Sequence, residues 1–355
     1  RLGFLSELFK PTLSVSERAL VTRQLATLIG AGLPIEEALL AVSKQSEKPS
    51  IQSMMLTVRG KVMEGFSLAN ALGEYPRAFP NLHRATVAAG ESAGHLDLVL
   101  NRLAEFTETQ QESSSKVKQA LVYPIILFVL TVMILGGLLG YVVPDIVKVF
   151  AESEQKLPWL TIAVISTSDF IVAYGLLILV MLIVMALCLR RLLQVPSARL
   201  GYHRRILAMP LVGKLSRGTN TAQFASTLSI LSSSGVPLVE AMKIAGEVLS
   251  NTWLRLKVTE ATVRVSEGSS LSGSLEQSGN FPPMMLHMIA SGESSGELDD
   301  MLARVARHQQ QDADLLMSLL LSLFGPLMLI VMGGAVFTIV MAILLPIINL
   351  NQLVV

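Results

Sequence analysis

The sequence predicts an all-α integral membrane protein with two homologous helical-bundle domains, about six helices each, and three transmembrane helices. Three observations lead there. The first is a long-period repeat. Gly32-Leu-Pro34 returns as Gly235-Val-Pro237, Glu64-Gly-Phe-Ser67-Leu68 as Glu267-Gly-Ser-Ser270-Leu271, and Gly90-Glu91-Ser-Ala-Gly94-His-Leu-Asp97 as Gly292-Glu293-Ser-Ser-Gly296-Glu-Leu-Asp299, at offsets of 203, 203 and 202 residues. Three motifs that keep one spacing over such a distance indicate duplication of a whole domain. The second observation is composition: 51% hydrophobic and only 15% charged residues over 355 positions, with a mean hydropathy of +0.56, is too apolar for a soluble protein of this length. The third is that apolar residues recur at helical spacing, and no segment alternates with period two for long enough to suggest a strand.

Ser14-Val-Ser-Glu17 has the pattern of a capping box, followed by an apolar face at Val21, Leu25, Leu28 and Ile29. Gly30 and Gly32 stop this helix, and Pro34 suits the first turn of the next, whose stripe is Ile35, Leu39 and Val42. Further helices are expected over Ile51 to Glu64, Leu68 to Leu72, about Asn81 to Ala89, and from His95 onward. Gly90 and Gly94 are expected to supply backbone angles closed to other residues between two helices, with Glu91 and Asp97 favouring the positive N-terminal end of the helix that follows. The same roles fall to Gly292, Gly296, Glu293 and Asp299 in the second copy, and a protein-docking corner is the functional alternative.

The uncharged runs Leu121 to Val143 and Phe170 to Leu189, of 23 and 20 residues, can each cross a hydrocarbon core of roughly 30 Å. A third uncharged stretch begins at Leu315, of which Ser322 to Ile348 could span with tilt while its first residues continue a helix from the polar domain. The expected organisation is a first polar domain over 1–120, a span over 121–143, a loop over 144–169, a span over 170–189, a second polar domain with its connecting segment over 190–321, a span over 322–348 and a tail over 349–355. Lys116 and Lys118 precede the first span and Arg190, Arg191, Arg199, Arg204 and Arg205 follow the second, whereas the loop has two Lys against four acids. Both polar domains are therefore expected in the cytoplasm, with the loop and C-terminus outside. The chain starts at Arg1 without Met or a signal-peptide pattern, so further residues are expected upstream.

Several chemistries are disfavoured. Charge is balanced in each polar domain, 13 bases against 12 acids and 13 against 11, without the one-sided basic footprint of a nucleic-acid binder. Cys188 is alone and lies inside a span, so no disulfide forms within the chain. Gly90 to Gly94 and Gly292 to Gly296 both fit G-x-S-x-G, but that pattern marks a hydrolase nucleophile only on a strand-to-helix turn with an acid and a histidine downstream. There is no phosphate-binding G-x-x-x-x-G-K-[ST] loop, so energy would have to come from a partner. The five His show no zinc spacing. The spans contain no ionisable side chain, which disfavours an ion-coupled transporter, while Gly136, Gly137, Gly140, Gly333 and Gly334 offer small residues for helix packing.

The order G-[LV]-P, E-G-x-S-L, F-P, G-E-S-x-G-x-L-D and a Pro-containing span, given twice, resembles the type II secretion system F protein family (general secretion pathway protein F), which is related to the platform protein of type IV pilus assembly. The likeness covers nearly the whole chain, and Phe281-Pro-Pro through Asp299 is its most specific phrase. The resemblance implies a non-enzymatic platform in the inner membrane of Gram-negative bacteria. Its cytoplasmic domains would engage the secretion ATPase and other inner-membrane components, self-associate, and drive pseudopilins into a periplasmic filament for protein transport; the pilus platform is the alternative. No cofactor is required. The resemblance also maps a calcium site onto Glu47, Asn101 and Glu105, of which Asn101 and Glu105 share a helix face; Asn101 stands where a carboxylate is expected, and a solvated polar face is the other reading. In the second copy Asn101 and Glu105 correspond to Ala303 and Arg307, which confines such a site to the first domain.

Overall fold

The computed structural model describes residues 12–142 and 158–351, and among these there are helices and turns without a strand. The chain divides into two compact units, residues 1–115 with 200–315 and residues 116–199 with 316–355. The first unit contains both repeats. The first copy comprises α1 (Val15–Gly30), α2 (Ile35–Gln45), α3 (Pro49–Met63), α4 (Leu68–Leu72), α5 (Asn81–Ala93) and the start of α6 (Leu96–Gly137). After α7 (Trp159–Leu192) and α8 (Pro196–Ala208), the second copy repeats the series as α9 (Pro210–Ser233), α10 (Leu238–Val248), α11 (Thr252–Ser266), α12 (Leu271–Glu276), α13 (Pro283–Ser295) and the start of α14 (Leu298–Asn351).

Local sequence sets most of these boundaries. Ser14 Oγ accepts from the Glu17 backbone N–H at 3.3 Å, and the Glu17 carboxylate accepts from the Ser14 N–H at 2.7 Å, which closes the capping box. Gly32 and Gly235 leave their helices at φ 87° and 83°, and Pro34 and Pro237 sit at the N-caps of α2 and α10. Leu39, Val42, Met54, Met55 and Val58 are fully buried in the first copy, and Phe224, Leu228, Met242 and Leu254 in the second. All belong to one continuous apolar core that includes both copies. One polar join is kept with altered chemistry. Lys48 bonds Glu17 between the starts of α3 and α1, and at the equivalent positions the Asn251 backbone N–H donates to Asn220 Oδ1 at 3.0 Å. Lys48 and the Ser14 backbone hold the Glu17 carboxyl down to about 2.

The second unit contains α7 and the apolar parts of α6 and α14. Among the described residues, three helices are long and apolar enough to cross a membrane, within Leu96–Gly140, Ala173–Leu192 and Leu298–Leu345. Helix α14 is continuous from Leu298, so the third apolar stretch does prolong a helix of the polar domain. Helix α7 begins at Trp159, ahead of the Phe170 start read from charge. Of the expected loop 144–169, residues 144–157 lie outside the described residues, as do the last four residues of the expected tail.

The first part of α7, ahead of its apolar span, is joined to α6 and α14 by hydroxyls and by aliphatic side chains. Thr161 Oγ1 donates to the Ala342 carbonyl at 2.6 Å, Ser168 Oγ donates to the Leu139 carbonyl in the π-helical turn Leu138–Val142, and Val164 packs with Ile339 and Ala342. Such hydroxyl bonds replace contacts that lipid cannot offer. Within the chain and among the described residues, Gly136, Gly137, Gly140, Gly333 and Gly334 have open space beside them. The close approach falls at Gly325, where an added Cβ would stand 3.3 Å from the Tyr123 ring. Gly325 and Tyr123 are repeat equivalents, so this contact joins the same point of both copies.

Candidate functional site

The repeated motifs meet in space. Within each copy, the turn carrying E-G-x-S-L and the helix end carrying G-E-S-x-G form one corner. Gly65 makes the turn at φ 91° and Gly268 its counterpart at 97°. Ser67 then caps the short helix α4, its Oγ accepting from the Asn70 N–H at 3.2 Å. The two preceding N–H groups are bound by the Glu91 carboxylate, Leu68 N–H at 2.5 Å and Ala69 N–H at 3.0 Å. The second copy repeats this with Glu293 on Leu271 N–H at 2.5 Å and Ser272 N–H at 2.9 Å, joined by the Ser272 hydroxyl, while Ser270 Oγ accepts from Gly273 N–H at 3.2 Å. A carboxylate set across the N-terminus of a helix satisfies orphan donors and the helix dipole together.

This corrects the sequence expectation for Glu91 and Glu293. They cap the earlier helices α4 and α12, and the helix that follows them is left to Asp97 and Asp299, in the first turns of α6 and α14. Ser232 Oγ also donates to Asp299 Oδ1. Gly90 and Gly292 are corrected too. They lie inside α5 and α13, where an added Cβ would come within 3.0 Å of the Val99 Cβ and 2.9 Å of the Met301 Cβ, so these glycines allow two helices to touch. Of these four glycines, Gly94 and Gly296 alone use the left-handed conformation, as C-caps at φ 73° and 76°. G292A is expected to cost more than G90A, within about 1–3 kcal/mol each, because its Cβ would also meet the Leu298 Cα at 3.0 Å and backbone yields less than a side chain. Thermal melting of the two variants measures the order, and equal, unchanged melting would refute it.

In this corner the serines of G-x-S-x-G do not sit on a strand-to-helix turn. Ser92 and Ser294 lie within helices and donate to the Ala88 and Ala290 carbonyls at 2.9 Å.

The residues mapped for calcium are placed differently from one another. Glu47 is exposed in the turn before α3, while Asn101 and Glu105 are exposed on α6, joined by an Asn101 Nδ2 to Glu105 Oε1 bond of 3.3 Å. Asn101 Oδ1 accepts from Arg23 Nη1 at 2.7 Å, and the same guanidinium holds Glu108 through two bonds of 2.6 Å. Arg23 keeps the Glu108 carboxyl below its usual range and is itself raised by Glu108, with Glu105 adding to the attraction. Of the three mapped residues, Asn101 thus already has its Oδ1 bonded to a fixed cation. Among the described residues no group of three His, Cys, Asp or Glu is arranged to hold a metal. Sequence reading missed Arg23, although its replacement by Ser226 in the second copy, together with Ala303 and Gln310 opposite, marks a cluster particular to the first.

One further buried polar group was not expected. His83, on α5, is 3% exposed beside Phe79, and neither ring nitrogen has a hydrogen-bond partner. Burial, with the nearby Arg18 guanidinium, pushes its pKa down to about 3. Arg18 is held by the Ala78 carbonyl, from its Nε at 2.7 Å. The second copy has Met285 in place of His83, 1% exposed.

Comparison with known proteins agrees with this architecture. The family described as type II secretion system (T2SS), protein F, matches residues 21–144 and again 224–346, so the family's own unit is the repeat. The type II secretion system protein F of Pseudomonas aeruginosa is 56% identical over 98% of this chain and 85% of its own length. That of Vibrio cholerae is 47% identical over 97% and 85%. The type IV pilus assembly protein PilC of Thermus thermophilus is 35% identical over 94% and 82%. The chain belongs to the type II secretion system protein F family.

Proposed function

We propose that this chain is the inner-membrane platform of a type II secretion system, with both copies of the helical domain in the cytoplasm and the loop and C-terminus in the periplasm. It couples a cytoplasmic secretion ATPase, together with other inner-membrane components, to the assembly of pseudopilins and the export of folded proteins. The observation that supports this reading most is the duplicated corner. In both copies the most recognisable residues, Glu91 and Glu293 with their glycines, serve to fix backbone, as suits a scaffold rather than an enzyme. The charge asymmetry around the spans supports the orientation. The higher identity to secretion proteins, 56% and 47% against 35% for a pilus protein, favours secretion over the pilus alternative.

Co-purification tests the coupling. The secretion ATPase is expected to come down with the detergent-solubilised chain and to be lost when residues 12–115 and 200–315 are deleted; equal recovery from the deleted chain would refute direct engagement. Complementation of a secretion-deficient and a pilus-deficient strain separates the two platform readings.

We also propose that the first domain needs no calcium, because Arg23 supplies the positive charge at Asn101, Glu105 and Glu108. The wild-type chain is expected to melt at one temperature with millimolar calcium or with chelator, whereas R23Q, which frees Asn101 Oδ1 and the Glu108 carboxylate, is expected to gain a calcium-dependent shift. A calcium shift in the wild-type chain would refute the proposal.

A further inference from the structure

The interface that joins the two copies has two unlike halves, and the duplication supplies each half twice. Helix α5 of the first copy packs on α9 and α10 of the second. Asn81 Nδ2 donates to Glu247 Oε2 at 2.9 Å across this contact. By repeat equivalence, α13 is a second copy of the inserting helix, and α1 with α2 is a second copy of the receiving face.

Among the described residues, burial shows that the second pair of faces is open. Leu82 on α5 is 3% exposed, whereas its equivalent Met284 on α13 is 56% exposed. Thr86 is buried and its equivalent Met288 only half-buried; Ala85 is half-buried and its equivalent His287 exposed. On the receiving side, Thr227 and Ile230 of α9 and its C-cap Ser234 are 0%, 8% and 9% exposed. Their equivalents Gln24, Thr27 and Ala31 are half-buried, exposed and exposed. The spacing i, i+3, i+7 puts these three on one stripe of α1 and its C-cap, Ala31, extended by Leu20 at 58% exposure. This stripe is not the one that meets the copy's own long helix, which in the second copy runs through Ser229 and Ser232 to Asp299.

We infer that α13 of one chain docks on the α1 stripe of a second chain, repeating between molecules the contact that joins the copies within one. The occupant is another copy of this chain because the open faces are the two halves of an interface the chain already makes. A contact between unlike patches leaves a free half at each end, so it propagates into a ring or a row instead of stopping at a symmetric dimer. Met284 and Met288 suit such a contact, since flexible thioether side chains adapt to an imperfect partner. Pro283 and Lys44 stand where Asn81 and Glu247 make their hydrogen bond, so the contact between chains lacks that polar join and is the weaker of the two. The inference rests on the repeat and is independent of the secretion reading.

Cysteine crosslinking of the full-length chain in detergent, in a C188A background, tests it. The double variant T27C/M284C is expected to give a ladder of dimers and higher species on oxidation. T27C mixed with M284C is expected to give dimers alone, and each single variant none. In parallel, M284K/M288K is expected to reduce the mass of the solubilised assembly to that of one chain without a change in melting temperature. Absence of the ladder together with an unchanged mass for M284K/M288K would overturn the inference, and so would dimers formed by M284C alone, which signify a symmetric contact.

Discussion

Replacing Glu91 with Ala is expected to be among the most damaging single changes in the polar unit, lowering its stability by about 2–4 kcal/mol. The carboxylate binds the first two N–H groups of α4, and Ser67 binds the third, so this five-residue helix depends on side chains for its N-terminal donors. Hydrogen bonds to a charged acceptor contribute roughly 1.5–3 kcal/mol each when partly buried, and removal of the acceptor leaves the donors unpaired. Helix α4 contributes Leu68, Ala71 and Leu72 to the core, so its loss would also expose apolar surface. E293A is expected to act equally on α12, and S67A less than either, by about 1 kcal/mol, as a loss of one N-cap bond. For domains of this size a loss of 2–4 kcal/mol lowers the melting temperature by roughly 10 °C. Circular dichroism of the detergent-solubilised variants measures it, and an E91A chain that melts within a degree or two of wild type would show that solvent replaces the carboxylate at no cost.

That interaction was not legible in the sequence, although both of its motifs were. A capping box joins residues three apart and can be read from spacing alone, as Ser14 and Glu17 were. Glu91 reaches donors 22 and 23 residues earlier, and only the path of the chain through α4 and the turn before α5 brings them together. The separation also shortens by one in the second copy, at 21 and 22 residues, because the loop between α12 and α13 absorbs the difference. Composition and periodicity read the repeat, the order of the helices and three apolar stretches, all of which depend on residues close in sequence. They failed where one side chain meets another element: Gly90 against Val99, and Arg23 against Asn101 and Glu108. A signal for the corner did exist. Two motifs, each carrying an acid and a helix-capping serine or a glycine turn, appear together in both copies, and co-occurrence twice over is what contact between them requires.

The duplication also supplies the control for the second large effect. His83 and Met285 occupy equivalent core positions on α5 and α13, 3% and 1% exposed, so one copy shows what the other's site accepts. A neutral imidazole buried without partners leaves one N–H donor and one acceptor unsatisfied, at a cost of roughly 1–3 kcal/mol. H83M removes both groups with a side chain the fold already accommodates elsewhere, and it is expected to raise the melting temperature at neutral pH. The pH dependence separates this from a simple gain in packing. Because the folded-state pKa is about 3 against 6.5 for the unfolded chain, the unfolded state binds more protons between these values. The wild-type chain therefore loses stability as pH falls below 6.5, by about 2 kcal/mol at pH 5 from this residue alone. Methionine does not titrate, so the advantage of H83M is expected to widen by that amount, roughly 4–8 °C in melting temperature, between pH 7.5 and pH 5. Glu17 and Glu108, whose carboxyls are held low and lose their contribution only in stronger acid, are present in both chains and cancel in the difference. An advantage that stays constant with pH would mean that the imidazole is not held neutral by its surroundings; a lower melting temperature for H83M at both pH values would mean that the first copy shapes this site around histidine.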